Sequence, residues 1–377
     1  MNSGQDIVLQ TRLLSIAILS AILSSGFALA QDGERRPFRP EDINRIQSVG
    51  DIAVSPDGNW VAYRVSKANI DKDESSSDLF MVNWEGSERI RLTHTEDSSE
   101  SHPRFSPDGK YLAFITARSD GSGEDEAAAK SQVWLLNRSG GEARRLTELP
   151  GGVSGFEWSP DSSGLVLVSK DPEEEAEEEG DDADEDKPQH DTPKPIVVDR
   201  YKFKQDGIGY LVDRYQRLYV FDIATKEATL LTPGPYDSVQ PAWGPGGDVI
   251  AFSSRRQGDP DRHINSDIYI IESTAGATPT QLTTWEGPDS NPVFSPDGTR
   301  IAYMQGGPQK YSGYDPDRPA VISVDGGDTV LVAPALDRNT SSLRWSSDSR
   351  VLYFLVADDR IQSIVSVPAG GAGVPRR

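Results

Sequence analysis

Apolar residues in this chain fall into short runs separated by polar turns, and the runs recur in a fixed order. One run ends on an aromatic or apolar residue at Val54, Phe105, Trp158, Trp243, Phe294 and Trp345. A Ser-Pro-Asp-Gly turn or a variant of it follows each, starting at Ser55, Ser106, Ser159, Gly244, Ser295 and Ser346. Pro presets φ at the second position, Asp bonds its own backbone and Gly accepts positive φ, so each copy predicts a tight reversal between antiparallel strands. A second run rich in β-branched and aromatic residues comes next, as in "YLAFIT" from Tyr111 and "RIAYMQ" from Arg300. After a variable polar loop, a third run reads "DLFMVN" from Asp78, "QVWLLN" from Gln132, "RLYVFD" from Arg217 and "DIYIIE" from Asp267. A fourth ends on Leu-Thr at Leu92-Thr93, Leu146-Thr147, Leu231-Thr232 and Leu282-Thr283.

The turns are spaced by 51, 53, 85, 51 and 51 residues, so a period near fifty carries one insertion. Four antiparallel strands per period describe a propeller blade, whose faces are buried only by stacking on its neighbours. The expected fold class is therefore all-β, a β-propeller. Blades are placed at about 51–100, 101–153, 154–238 (with an insertion over 171–195), 239–288, 289–338 and 339–377. The last supplies only three strands and lacks Leu-Thr, so five complete blades and an incomplete sixth are expected, in a ring this chain does not close. Residues 31–50 form a lead-in, where Pro40-Glu41-Asp42 reads as the first turn of a short helix with acids at its positive end.

Arg12 precedes the apolar run Leu13–Ala30, which ends in the small-x-small pattern Ala28-Leu29-Ala30. Residues 1–30 read as a secretory signal cleaved after Ala30, placing the mature protein in the periplasm or outside the cell, with no membrane attachment after cleavage. There is no cysteine, and His94, His102, His190 and His263 are scattered and read as surface or loop residues, so no metal and no cofactor is expected. The formal charge of −22 disfavours nucleic acid. Eleven carboxylates crowd the fourteen positions Glu173–Asp186, which read as a solvated insertion; without them the charge is still about −11. "DGSGEDE" from Asp120 has only faint calcium-loop character. Trp158, Trp243 and Trp345 share one repeat position and read as blade packing. Arg200, Tyr201 and Tyr210 are the best candidates for contact with a carboxylate or peptide backbone. The plainer alternative is that the tyrosines pack the blade and Arg200 pairs with an acid.

The string "PEDINRIQSVGDIAVSPDGNWVAYRV" resembles the start of the propeller in the prolyl oligopeptidase family of serine peptidases, nearest its acylaminoacyl-peptidase and dipeptidyl-aminopeptidase-like branch. "VVDRYKFKQDGIGYLVDRYQRLYVFDI", Val197 to Ile223, is similar to that branch's Arg-Tyr…Asp-Gly-x-Gly-Tyr segment. The resemblance covers roughly residues 37 to 370. It implies a propeller preceding an α/β-hydrolase domain with a Ser-Asp-His triad, the propeller restricting entry to short peptides. The nucleophile of such a domain sits in Gly-x-Ser-x-Gly, a pentapeptide this chain lacks; "GVSGF" at Gly152 has Phe156 in the last position. No catalytic residue is therefore assigned, and the chain is expected to lack peptidase activity of its own. The alternative is a free-standing periplasmic propeller that binds a protein partner, similar to the translocation propeller of the Tol system.

Overall fold

The computed structural model describes residues 36–70, 73–95, 98–118, 130–172, 196–198, 200–207, 209–211 and 213–371. The expected signal, the acidic run Glu173–Asp186 and the "DGSGEDE" loop lie outside them. The chain divides into two units, Met1–Ile46 and Gln47–Arg377. In the first, Pro40–Arg45 form a 3₁₀ helix. Asp42 accepts the Arg39 N–H at 2.9 Å and pairs with the Arg36 guanidinium, which holds its carboxyl below the usual range.

The second unit is an all-β propeller. Blade 1 comprises β1 (Gln47–Val54), β2 (Trp60–Asn69), β3 (Glu74–Asn83) and β4 (Arg89–Arg91). Its first strand starts at Gln47, ahead of residue 51. Blade 2 comprises β5 (Glu100–Phe105), β6 (Tyr111–Thr116), β7 (Gln132–Asn137) and β8 (Arg144–Arg145). Blade 3 opens with β9 (Gly155–Trp158) and β10 (Gly164–Lys170). A separate hairpin follows, β11 (Lys204–Gln205) with β12 (Gly209–Tyr210), and then β13 (Gln216–Asp222) and β14 (Ala228–Leu230) complete the blade. Blade 4 holds β15 (Ser238–Trp243), β16 (Val249–Ser254), β17 (Asp267–Glu272) and β18 (Thr280–Gln281). Blade 5 holds β19 (Asp289–Phe294), β20 (Arg300–Gln305), β21 (Arg318–Ser323) and β22 (Val330–Leu331). Among the described residues blade 6 has three strands, β23 (Thr340–Trp345), β24 (Val351–Asp358) and β25 (Ile361–Pro368). Within every blade the strands pair antiparallel in chain order.

Each repeated motif has a bonding reason. In the turns, the serine hydroxyl donates to the aspartate two residues on and accepts the backbone N–H five residues on. Ser106 shows the pattern, 2.7 Å to Asp108 and 3.0 Å from Tyr111 N. The serine bond, followed by Lys110, holds the Asp108 carboxyl down at about 2. Gly58, Gly109 and Gly298 close their turns at φ 72°, 72° and 71°. Blades 3 and 6 put Ser162 and Ser349 there instead, also at positive φ. Each serine repays that backbone strain with a bond to the preceding blade's turn, Ser162 Oγ accepting from Asp108 N and Ser349 Oγ from Asp297 N. The Leu-Thr pair clasps the third strand: in blade 2 the Leu146 N–H donates to Val133 O while Thr147 Oγ1 accepts from Val133 N, 3.0 Å away. Thr93, Thr232 and Thr283 accept in the same way from Leu79, Leu218 and Ile268.

The cores lie in the seams between successive blades. Ala113, Ile115 and Val133 of blade 2 pack with Phe156, Trp158 and Leu167 of blade 3, and the later seams repeat the arrangement. Among the described residues no core cluster joins the first and sixth blades. Their outer faces leave apolar side chains in solvent, Val54 at 53% exposure and Ile364 at 67%.

Candidate functional site

Blade 3 places the residues the sequence singled out. Arg200 donates from Nε and Nη2 to the two oxygens of Asp261, at 2.9 and 2.5 Å, and lies 3.6 Å from Asp213. The Arg200 bond holds the Asp261 carboxyl below its usual range. Tyr210 pairs with Lys204 in the β11–β12 hairpin and is 49% exposed. Tyr201 is 66% exposed, with the Arg262 guanidinium 4.5 Å from its ring centre. Arg200 and Tyr210 share a cavity of about 350 Å³ with Lys170, Lys202, Arg214 and Arg255, a cationic lining in an acidic protein. Tyr201 is not part of that lining. Neither tyrosine is buried in a blade, whereas Arg200 does pair with an acid.

The six first strands, β1, β5, β9, β15, β19 and β23, surround the propeller axis. In five of them the pairing with the second strand slips by a bulge. A non-glycine residue takes positive φ at each slip: Asp51 at 50°, His102 at 53°, Gln240 at 54°, Asn291 at 53° and Ser342 at 61°. A bulge re-aims its side chain and bends the strand. His102, Gln240 and Asn291 thereby line an axial cavity of about 380 Å³. His102 is thus neither a surface nor a loop histidine: it is a half-buried strand residue. Burial holds its imidazole below the usual range, against the pull of Asp51.

A second axial cavity, of about 740 Å³, is lined from every blade, and the residue two positions before the turn faces it in all six: Ala53, Arg104, Glu157, Ala242, Val293 and Arg344. Glu157 Oε1 stands 3.6 Å from Arg104 Nε. Confinement in the channel pushes the Glu157 carboxyl up, and Arg104 and Arg344 pull it down. Next to this position sits the repeated aromatic residue, and where it is tryptophan it does more than pack. The indole N–H groups of Trp158, Trp243 and Trp345 donate to the carbonyls of Arg104, Glu157 and Val293 in the preceding blade, at 3.2, 3.3 and 3.0 Å. The two seams that carry phenylalanine instead are bridged at the bulge: His102 N donates to Asp51 Oδ2 and Asn291 N to Gln240 Oε1.

Sequence reasoning missed this axial ring. A signal was present: His102, Gln240 and Asn291 all precede proline, at one repeat position. Among the described residues no group of three or more His, Asp or Glu is arranged to hold a metal ion.

No family model matches the chain. It is 33% identical over 231 residues to the uncharacterized peptidase YuxL of Bacillus subtilis, covering 61% of this chain and 33% of that protein. It is 29% identical over 359 residues to dipeptidyl-peptidase 5 of Porphyromonas gingivalis, covering 92% of this chain and 50% of the relative. The chain thus spans between a third and a half of these curated relatives. Among solved structures it is similar to the acylaminoacyl peptidase of Pyrococcus horikoshii, with a TM-score of 0.63 at 20% identity over 88% of this chain and 47% of that one. The β-propeller domain of the trilobed protease from Pyrococcus furiosus matches with a TM-score of 0.54 at 18% identity, covering 86% of this chain and 81% of that one.

Proposed function

From the premise that this chain resembles the propeller portion of prolyl oligopeptidase-family peptidases, we propose that it is the non-catalytic propeller region of an exported serine peptidase. Its role is to admit short peptides to an α/β-hydrolase domain. One observation carries the reading: the match to peptidases runs over nearly the whole propeller and over only half of the dipeptidyl-peptidase. The axial cavities, lined by hydrogen-bonding groups from several blades, support it as a place where a narrow extended chain fits. Arg200 and Tyr210 are the second contact surface, with Tyr210 free to meet a peptide and Arg200 holding Asp261 at the cavity wall. Export rests on the leader over residues 1–30.

The test is calorimetric titration of the chain with acetylated tri- to pentapeptides, alongside a large folded protein such as albumin. Saturable binding of the peptides and none of albumin is expected, with no hydrolysis of either. Failure of all the peptides to bind, or turnover by the chain itself, would overturn the reading.

A further inference from the structure

We propose that the axial cavity ringed by Ala53, Arg104, Glu157, Ala242, Val293 and Arg344 is a carboxylate-binding girdle, which takes the acidic end or an acidic side chain of a peptide between the guanidiniums of Arg104 and Arg344. The inference rests on the peptide-conduit reading above and gives that conduit a chemical preference.

The repeat itself makes the site visible. One structural position, two residues before each turn, faces the same cavity from all six blades. Three blades fill it with a small or aliphatic residue, Ala53, Ala242 or Val293, and three with a charge. The charges are two arginines against one glutamate, in a chain whose formal charge is −22. A positive excess concentrated in the channel of an acidic protein is a local field that attracts an anion, and low-dielectric walls focus it.

The internal partners do not use that charge up. Arg104 reaches Glu157 only at 3.6 Å from Nε, beyond hydrogen-bond length, and turns its Nη1 onto the Pro103 carbonyl. Arg344 bonds the Leu343 carbonyl through Nη1 and, among the described residues, makes no ion pair. Arg344 is exposed, and the Glu157 side chain keeps 43% of its surface accessible. The girdle is therefore open to a ligand. A guanidinium presents a planar fork of donors that matches a carboxylate in two parallel bonds. An incoming carboxylate meets a guanidinium at Arg344 that has no carboxylate partner among the described residues and a loosely engaged one at Arg104, with Glu157 as its internal competitor. The strands that carry the ring are fixed from outside: the indoles of Trp158, Trp243 and Trp345 hold the carbonyls of Arg104, Glu157 and Val293. That is the support a preformed site requires.

The same tryptophans supply the readout, together with calorimetry. The chain is titrated with an acetylated tripeptide of small neutral residues as free acid, with its C-terminal amide, and with an amide carrying aspartate at the middle position. The free acid is expected to bind at least about ten-fold tighter than the plain amide, with a difference that shrinks as salt rises. Recovery of tight binding by the aspartate-bearing amide assigns the girdle to any carboxylate; no recovery assigns it to the chain terminus. Arg344→Gln is expected to erase the difference between acid and amide at unchanged Tm, and Glu157→Gln to tighten the free acid several-fold. Equal binding of acid and amide by the unmodified chain overturns the girdle and leaves the conduit reading standing. So does a preference that survives in both Arg344→Gln and Arg104→Gln. Absence of binding by every peptide removes the conduit reading, and the girdle with it.

Discussion

Trp345 reaches across the seam between the fifth and sixth blades and donates its indole N–H to the Val293 carbonyl, 3.0 Å away. Trp243 and Trp158 make the corresponding bonds across the seams between blades 3 and 4 and between blades 2 and 3. A net hydrogen bond of this kind contributes about 1 kcal/mol, and leaving the carbonyl unpaired costs about as much again. Trp345→Phe preserves most of the apolar contact and removes the donor. The expected outcome is a fall in Tm of a few degrees, measured by calorimetry, at an unchanged circular-dichroism spectrum. Phe105→Leu, at a repeat position that lacks the indole bond, loses ring packing and the Arg138 guanidinium 5.1 Å from the ring centre, and the hydrogen bond that His102 N donates to Asp51 in its seam persists.

The repeat made the fold legible because every blade solves the same local problem with the same residues. Ser106, Asp108 and Gly109 announce a turn whose bonds are all within a few residues, so sequence spacing alone predicts them. What sequence did not reveal is the register of one blade on the next. Trp158 read as packing because nothing along the chain says that its N–H meets a carbonyl fifty-four residues earlier. Arg104, Glu157 and Arg344 look like ordinary surface charges until six strands bring one repeat position to one cavity. Arg200 was half legible: its charge invited a partner, and the partner, Asp261, lies in the next blade's loop.

Thr147 offers a sharper test of the Leu-Thr clasp. Its Oγ1 accepts the Val133 N–H at 3.0 Å and donates to Gln132 Oε1 at 2.8 Å, and both residues are buried. Thr147→Val keeps the shape and leaves a buried N–H without an acceptor, a loss of about 1–3 kcal/mol. Thr147→Ser keeps the hydroxyl and is expected to recover most of that loss in denaturant unfolding. Equal destabilisation by the two variants would assign the effect to the methyl group's packing.

At the blade 3 cavity, Arg200 and Tyr210 separate structure from contact. Arg200→Gln strips the bidentate partner from Asp261, which also accepts the Lys202 N–H at 3.2 Å. It is expected to lower stability and to raise protease sensitivity in the segment around Lys202. Tyr210 is half exposed, so Tyr210→Ala should change stability by less than about 0.5 kcal/mol. A several-fold loss of peptide affinity in Tyr210→Ala at constant Tm would mark it as a contact residue. Unchanged affinity would leave the cavity a structural feature.

The seam between blades 4 and 5 should make stability depend on pH. Asp289 and Asp267 are both buried, at 0% and 1% exposure, and neither Asp289 oxygen has a hydrogen-bond partner of good geometry. Burial first, with Asp267 adding to it, pushes the Asp289 carboxyl up to about 7; burial pushes Asp267 up to about 6. The equivalent acids of the seam between blades 1 and 2 have better partners, although burial pushes the Glu100 carboxyl up as well. Asp78 pairs with Arg91 at 2.7 Å, and Glu100 accepts from Thr93 and Thr95 at 2.9 and 2.6 Å. In blade 4, Gln281 stands where blade 1 has Arg91, opposite Tyr269 as Arg91 is opposite Phe80. The folded state therefore binds protons at Asp289 and Asp267 that the unfolded chain releases near pH 4. Stability must fall as pH rises from about 4 and level off above about 7, where the folded pair has also ionised. Asp289→Asn removes that penalty. Its Tm is expected to exceed that of the unmodified chain by several degrees at pH 8, with the gap closing towards pH 4.5. A gap that is flat with pH would mean that both acids stay ionised in the folded blade and that water or a cation satisfies them.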